Sequence, residues 1–332
     1  MPRRLAAVLA ALTLAVPALT SCSAQPPPPK AATAPQKGLL VQTAQDVART
    51  AGSVKRLDDL PLYEMTFSGG YDAEAPLTDA ELARKDDAWA CSLFHRGHEL
   101  GRNFDWQPNP AMVVHASPPG GYASLSLADI SYVLDRSTPP DLNSPDDRRR
   151  LAHAVLIPFD GMNEKGLAVG MAAVPTAELP AKDPARKTVG SVRAIRLMLD
   201  RAANVDEAVA LLRTYNIEFS ADGPQIHYLL ADRSGKSVVV EYTAGKMHVI
   251  DDNVLTNFTM AGTSRARRLD DRRYRTLAEN LGTKADGLAL LESVAQAHTR
   301  WSVVYDLEAG TARLVTGQKW GTVRTLTLSS PG

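Results

Sequence analysis

From about Leu39 onward, short apolar segments alternate with turn-forming residues, a strand pattern that twice gives way to helical period. "ACSLFHR" and "LGRNFDW" flank "GHE" and read as two strands of a hairpin. "AMVVHA", "GYASLSLADIS", "AHAVLIPF" and "LAVGMAAV" read as further strands, the last two joined by a turn over "DGMNEKG". Helical spacing begins with "VGSVRAIRLMLDRA" and "NVDEAVALLRTY", the second opening on an Asn204 cap with Asp206 and Glu207 in its first turn. Strands return in "IHYLLADRSGKSVVVEYTAGKMHVIDD", with tight turns at "DRSG" and "TAG". Helices follow across "SRARRLDDRRYRTLAENL" and "KADGLALLESVAQA", and "WSVVYDLEAGTARLVT" and "TVRTLTLS" close the chain as strands. Two groups of strands separated by two groups of helices predict an α+β fold of stacked sheets with helices outside.

The first 38 residues do not fit that pattern. "MPRR" is followed by the apolar run "LAAVLAALTLAVPAL", too short and too early for a membrane span, which reads as a secretory signal. Its tail, Leu19-Thr20-Ser21-Cys22, resembles the bacterial lipoprotein lipobox. That resemblance implies removal of residues 1–21 and a lipid on Cys22, hence a protein anchored to the bacterial cell membrane on its extracytoplasmic side. The alternative is an ordinary secretory signal cleaved nearby. Residues 22–38, rich in Pro and Ala and almost free of large apolar side chains, cannot bury a core and read as a tether. Residues 39–90 look folded, with "VKRLDDLPLYEMTFSGGY" and the helix-like "TDAELARKDD", and no second linker divides the rest. Basic and acidic residues balance at 37 each, which points away from nucleic acid and from a polybasic membrane patch.

The chain has two cysteines, and a lipid on Cys22 leaves Cys91 without a disulfide partner. Composition alone favours a buried structural thiol. A partial metal site is a second reading, since Cys91 and His95 share a strand face, but His98 falls in the turn and no fourth ligand is indicated. The third reading is a nucleophile, and it rests on residues further along.

"CSLF...GRNFDW", "GMNEKGLAVG", "LTNF", "DDRRYRTL" and "WSVVYDLE" occur in this order over about residues 88–310. Together they resemble the N-terminal nucleophile hydrolases of the choloylglycine hydrolase, penicillin V acylase and acid ceramidase group, the linear amide C-N hydrolases. The resemblance implies a four-layer αββα sandwich over residues 91–332 and a leader over 39–90 that is separated by self-cleavage of the Ala90-Cys91 bond, either leaving or staying attached as a separate subunit. It also implies hydrolysis of a linear carboxamide, a small-molecule N-acyl amide, through an acyl-thioester, with no cofactor or metal. Acyl transfer to an amine, or a non-catalytic surface-anchored binding lipoprotein, are the alternatives; homo-oligomerisation is compatible with any of them.

The implied roles each have a physical reason. Cys91 is the expected nucleophile and its own α-amine the base, because a terminal amine titrates near 7.7–8.0 whereas an internal amide cannot accept the proton. Arg102 is expected beside the thiol, favouring thiolate. Asp105 is expected to hold the α-amine. Asn257 is the expected oxyanion donor, a neutral group suited to charge that appears only in the transition state. Asn163 is either a substrate or oxyanion contact or simply the asparagine of a hairpin turn. Arg272 ranks first among the arginines crowding 265–273, with Arg265, Arg268 and Arg273 beside it. Phe104, Trp106, Met112, Tyr122, Phe219 and Tyr228 are candidates either for a pocket or for the core.

Overall fold

The computed structural model describes residues 38–77, 90–107, 109–220 and 224–328. The signal segment, Cys22, nearly all of the tether and "TDAELARKDD" therefore lie outside the described residues. In chain order the elements are β1 (Leu40–Val41), α1 (Ala44–Ser53), β2 (Lys55–Asp58), β3 (Leu62–Phe67) and β4 (Gly70–Tyr71), then β5 (Ala90–Arg96), β6 (Glu99–Asp105), β7 (Ala111–Ala116) and β8 (Ser124–Asp129). Short helices α2 (Ser131–Leu134) and α3 (Pro145–Leu151) lead through a 3-10 turn (Ala152–Leu156) to β9 (Asp160–Asn163), β10 (Leu167–Ala173), β11 (Thr188–Gly190), α4 (Ser191–Arg201), α5 (Val205–Leu212) and β12 (Asn216–Glu218). β13 (Ile226–Asp232), β14 (Ser237–Thr243), β15 (Lys246–Ile250) and β16 (Val254–Leu255) precede α6 (Arg265–Arg268), α7 (Arg272–Asn280) and α8 (Gly287–Ser293), and β17 (Thr299–Asp306), β18 (Thr311–Thr316) and β19 (Arg324–Thr327) end the chain.

Two sheets dominate. One has nine strands in the order β15-β14-β13-β10-β9-β8-β7-β3-β2, the other six in the order β16-β5-β6-β17-β18-β19. They pack face to face where β10 and β13 meet β5 and β16. α4 and α5 cover the outer face of the large sheet at β9, β10, β13 and β14, while α7 and α8 cover the small sheet at β5, β16, β6 and β17. The order of layers is helix, sheet, sheet, helix, as the sequence pattern and the resemblance predict. β7, β8 and β10 are buried at every position; β10 reads as a continuous apolar run, as a strand covered on both faces must, while β8 alternates leucine with small serines. The sheets approach closely at Gly170, where a Cβ would lie 2.4 Å from Leu93 Cδ2 of the facing sheet.

One segment is corrected. "AHAVLIPF" is not a strand: Ala152–Leu156 forms a 3-10 turn continuing α3, and the strand of this hairpin is Asp160–Asn163, inside the stretch that reads as a turn. A short apolar run cannot be assigned to helix or strand by period alone. Here the Ser144 cap and Pro145 at the helix start carry the helical hand forward until Pro158 stops it.

Residues ahead of Cys91 are built into the large sheet. β3 pairs in parallel with β7, from Leu62↔Ala111 to Phe67↔Ala116, and antiparallel with β2. Its Leu62, Tyr63, Met65 and Phe67 are core side chains. Polar bonds add to this: Tyr71 Oη donates to Asp200 Oδ1 (2.8 Å), Arg193 Nη1 to the Ala75 carbonyl (2.6 Å) and Arg300 Nη2 to the Leu60 carbonyl (3.1 Å). Glu74 accepts from Lys187 (2.6 Å), Arg201 (2.6 Å) and Tyr215, and those bonds pull its carboxyl down to about 2.

Candidate functional site

Cys91 is the second residue of β5, and its side chain is fully buried between the sheets. The turn at Gly97, with φ of +57°, folds β6 back so that Cys91 lies opposite Phe104 and Leu93 opposite Arg102. Successive side chains alternate faces, so Cys91, Leu93, Arg102 and Phe104 all point into the space between the sheets. Arg102 Nη2 stands 3.5 Å from Cys91 Sγ.

The position of Arg102 is set from the opposite sheet. Its Nη1 donates to Asp160 Oδ2, and Asp160 also accepts from Trp301 Nε1 (3.1 Å) and from the Tyr305 hydroxyl. Both members of the ion pair are completely buried. The Arg102 guanidinium lies over the Phe104 ring, 4.8 Å from its centroid, and Phe104 stacks on Trp301 at 4.1 Å. Asp160 is absent from the sequence-level candidates. Its one visible signal is a carboxylate opening a segment that otherwise reads as a turn.

A second cluster lies on the helix side of Cys91. Arg273 Nη1 donates to the Cys91 carbonyl (2.6 Å) and to Ser92 Oγ (3.2 Å), and its Nη2 to Asn257 Oδ1 (3.0 Å). Asn257 Oδ1 also accepts the Cys91 backbone N–H at 2.6 Å, while its Nδ2 donates to the Ala173 carbonyl (2.7 Å). In this continuous chain Asn257 thus presents its oxygen, rather than its amide nitrogen, to Cys91. Asp105, paired with Ala90 in the hairpin, lies 3.8 Å from Arg273 and accepts from Gln296 (2.7 Å) and Thr299. Burial raises the Asp105 carboxyl, and the Thr299 and Gln296 bonds offset part of that rise.

The arginine assignment is corrected from Arg272 to Arg273. Arg272 is exposed at the first position of α7. The helical segment breaks at Leu269–Asp271, and Asp271 restarts it as an N-cap accepting from the Tyr274 N–H, which sets the phase that turns Arg273 inward. Asn163 sits at the end of β9 and serves the fold: Nδ2 donates to the Leu199 and Ala202 carbonyls, and Oδ1 accepts from the N–H groups of Lys165 and Leu167. Those bonds close the β9–β10 turn and tie it to α4, as the turn reading expects. His98, in the hairpin turn, is exposed and faces Glu308 at 3.5 Å. Phe104, Met112 and Tyr228 are fully buried core residues, whereas Trp106, Tyr122 and Phe219 are half-buried.

Burial pushes the Cys91 thiol up; Arg102 and Arg273 pull it back, and the Asp105 charge adds to the rise. The arrangement holds one sulfur beside a guanidinium, and one peptide N–H and carbonyl gripped by Asn257 and Arg273, immediately after the Ala90-Cys91 bond. Such a site can stabilise a thiolate and order the backbone that a thiolate would attack.

Residues 153–267 match the family of linear amide C-N hydrolases, choloylglycine hydrolase family. A penicillin V acylase of Pectobacterium atrosepticum is 37% identical over 110 residues, 30% of this chain and 29% of that protein. A bile salt hydrolase/transferase of Clostridium perfringens is 33% identical over 107 residues, 30% of this chain and 32% of the relative. The matched stretches thus span about a third of these curated relatives. Among solved structures, a mutant of the conjugated bile acid hydrolase from Clostridium perfringens superposes with a TM-score of 0.51 at 18% identity, covering 72% of this chain and 92% of that one, a likeness of fold.

Proposed function

We propose that this chain, whose residues 153–267 match the choloylglycine hydrolase family of linear amide C-N hydrolases, hydrolyses an N-acyl amide with Cys91 as nucleophile. The observation that carries this reading is the placement of Arg102 Nη2 3.5 Å from Cys91 Sγ, held by a buried Asp160.

The chemistry runs in two stages. First, Cys91 Sγ attacks the Ala90 carbonyl and the acyl group moves from nitrogen to sulfur, so the C–N bond breaks and the freed Cys91 amine takes up the thiol proton; water then hydrolyses the thioester, releasing the leader with a carboxylate at Ala90 and restoring the thiol. Asn257 and Arg273 hold the Cys91 backbone during this step, and Arg102 offsets the charge on sulfur. Second, the free amine takes the thiol proton and the thiolate attacks the substrate carbonyl. Asp105 and Asn257 Oδ1 orient the amine. Asn257 Nδ2 keeps one N–H on the Ala173 carbonyl and offers its second to the oxyanion. The leaving amine takes the proton back, and water releases the acyl group from sulfur. The same residues serve acyl transfer to an amine, and the Clostridium perfringens relative carries both activities in its name.

Arg273→Ala should slow the appearance of the Cys91 N-terminus by about tenfold or more, because it removes charge-assisted bonds each worth about 1.5–3 kcal/mol. Arg272→Ala should leave that rate unchanged. Timed N-terminal sequencing of both variants checks the pair, and equal rates would remove Arg273 from the site.

We further propose that the leader stays in the sheet after cleavage and that Cys22 carries lipid, so that the anchor holds the catalytic fragment through β3. Lipidation on two chains gives stable anchoring where one is marginal. The expected result is that both fragments cofractionate with membranes, and that Cys22→Ala releases both together into the soluble fraction. Glu74 of the leader refines this: its carboxyl is lowered from 4.5 to about 2, so its grip on Lys187, Arg201 and Tyr215 of the catalytic fragment is complete above about pH 4.5 and is lost as pH falls toward 2. A catalytic fragment that leaves the membrane while the leader stays behind at neutral pH would contradict the shared sheet.

A further inference from the structure

The loop that carries Asn257 is gripped by a buried pair whose partners come from the large sheet. His227 of β13 and Glu241 of β14 are both completely buried, and His227 Nδ1 lies 2.8 Å from Glu241 Oε2. The antiparallel register sets them opposite one another, one step beyond Tyr228↔Val240. His227 Nε2 lies 2.9 Å from the carbonyl of Thr256, the residue before Asn257. Glu241 accepts the N–H groups of Met260 (3.0 and 3.1 Å) and Ala261 (2.8 Å), on the other side of Asn257. A carbonyl can only accept, so Nε2 must donate to it. Burial alone would raise the Glu241 carboxyl, but the bonds from His227, Met260 and Ala261 more than offset this and keep it acceptor-only.

We propose that His227 and Glu241 form a positioning clasp for Asn257. Neither touches Cys91; they act through the backbone on either side of the asparagine. The neighbouring strand completes the grip. His227 pairs with Ala172 in the β10–β13 register, and the next carbonyl, that of Ala173, accepts from Asn257 Nδ2. Asn257 Oδ1 is thereby set 2.6 Å from the Cys91 nitrogen, beside it on the small sheet, by groups reaching across from the large one. A displacement on the order of an ångström at such a position costs about a hundredfold in rate.

The inference rests on the Cys91 nucleophile, and isosteric amides separate its parts. In His227→Gln the side-chain nitrogen replaces Nε2 and keeps the bond to Thr256; in His227→Asn it replaces Nδ1 and keeps the bond to Glu241 but drops Thr256. Both remove the imidazole, so a purely structural role would cost them alike. The expected result is that His227→Asn lowers both self-cleavage and kcat by about a hundredfold with KM near the wild-type value. His227→Gln should recover most of that loss. The rates are read beside Tm, with wild type and Cys91→Ala in parallel on a panel of N-acyl amides. Equal losses in the two variants, or losses confined to Tm, overturn the clasp while leaving the cysteine reading intact. A wild type no more active or more cleaved than Cys91→Ala overturns the cysteine reading, and the clasp with it.

Discussion

Cys91→Ala should yield one uncut species, continuous through Ala90-Cys91, that turns over no amide. The loss has two parts, because the same sulfur attacks first the Ala90 carbonyl and then the substrate. Removing a covalent nucleophile costs on the order of a millionfold in kcat in a comparable acyl-transfer enzyme. The packing cost is small by comparison: a buried sulfur lost from a fully enclosed site is worth about 1 kcal/mol, the scale of a methylene. The variant should therefore fold, with near wild-type Tm and far-UV circular dichroism, while both activities vanish. A chain begun at Cys91 after removal of the initiator methionine, co-expressed with residues 39–90 so that β3 fills its place beside β7, separates the stages. Made in that form, Cys91→Ala should still be inactive, whereas the unsubstituted protein should be active without any cleavage. If Cys91 were only a core thiol, the alanine variant would lose a little stability and nothing else.

Asp160→Ala should be the most destabilising single substitution in the site. It leaves the Arg102 guanidinium completely buried without its counter-charge, and takes from Trp301 Nε1 and the Tyr305 hydroxyl their acceptor. Breaking a buried pair in this way costs about 3–5 kcal/mol, which lowers Tm by on the order of 10 °C in a domain of this size. The double variant Arg102→Met with Asp160→Leu should recover much of that stability, since apolar groups of similar volume replace a buried pair at little cost. It should not recover the chemistry, because no positive charge remains at the sulfur. Thermal melts and self-cleavage rates measured on the same three proteins would show stability and activity moving apart. A double variant that processes itself at the wild-type rate would show that Arg102 serves packing alone.

These two residues also mark how far the sequence could be read. Cys91, Arg102 and Asp105 stand out in the sequence through the family resemblance, and the hairpin with its short turn, which the local pattern does show, sets Arg102 and Asp105 on the strand beside Cys91. The strands 111–116, 226–232 and 237–243 and the Asn204 cap were legible for the same local reasons. Asp160 was not, since its partner is 58 residues away on another sheet and its own segment carries the Gly and Asn of a turn. Nor was Arg273: two aspartates precede the arginines, and only the choice of Asp271 as the cap decides which arginine faces inward. Asn163 was weighed both ways, and its four bonds to backbone make it part of the β9–β10 turn. The parallel pairing of β3 with β7 joins segments separated by the whole Cys91 hairpin, a long-range contact that no local period records.

The most direct test of Cys91 as nucleophile is the intact mass and N-terminal sequence of a preparation shown to hydrolyse an N-acyl amide. The expected result is a fragment of 242 residues, 91–332, beginning at Cys91, in proportion to the activity. A fully active protein still continuous through Ala90-Cys91 would contradict it, because the amine that must take the thiol proton would not exist.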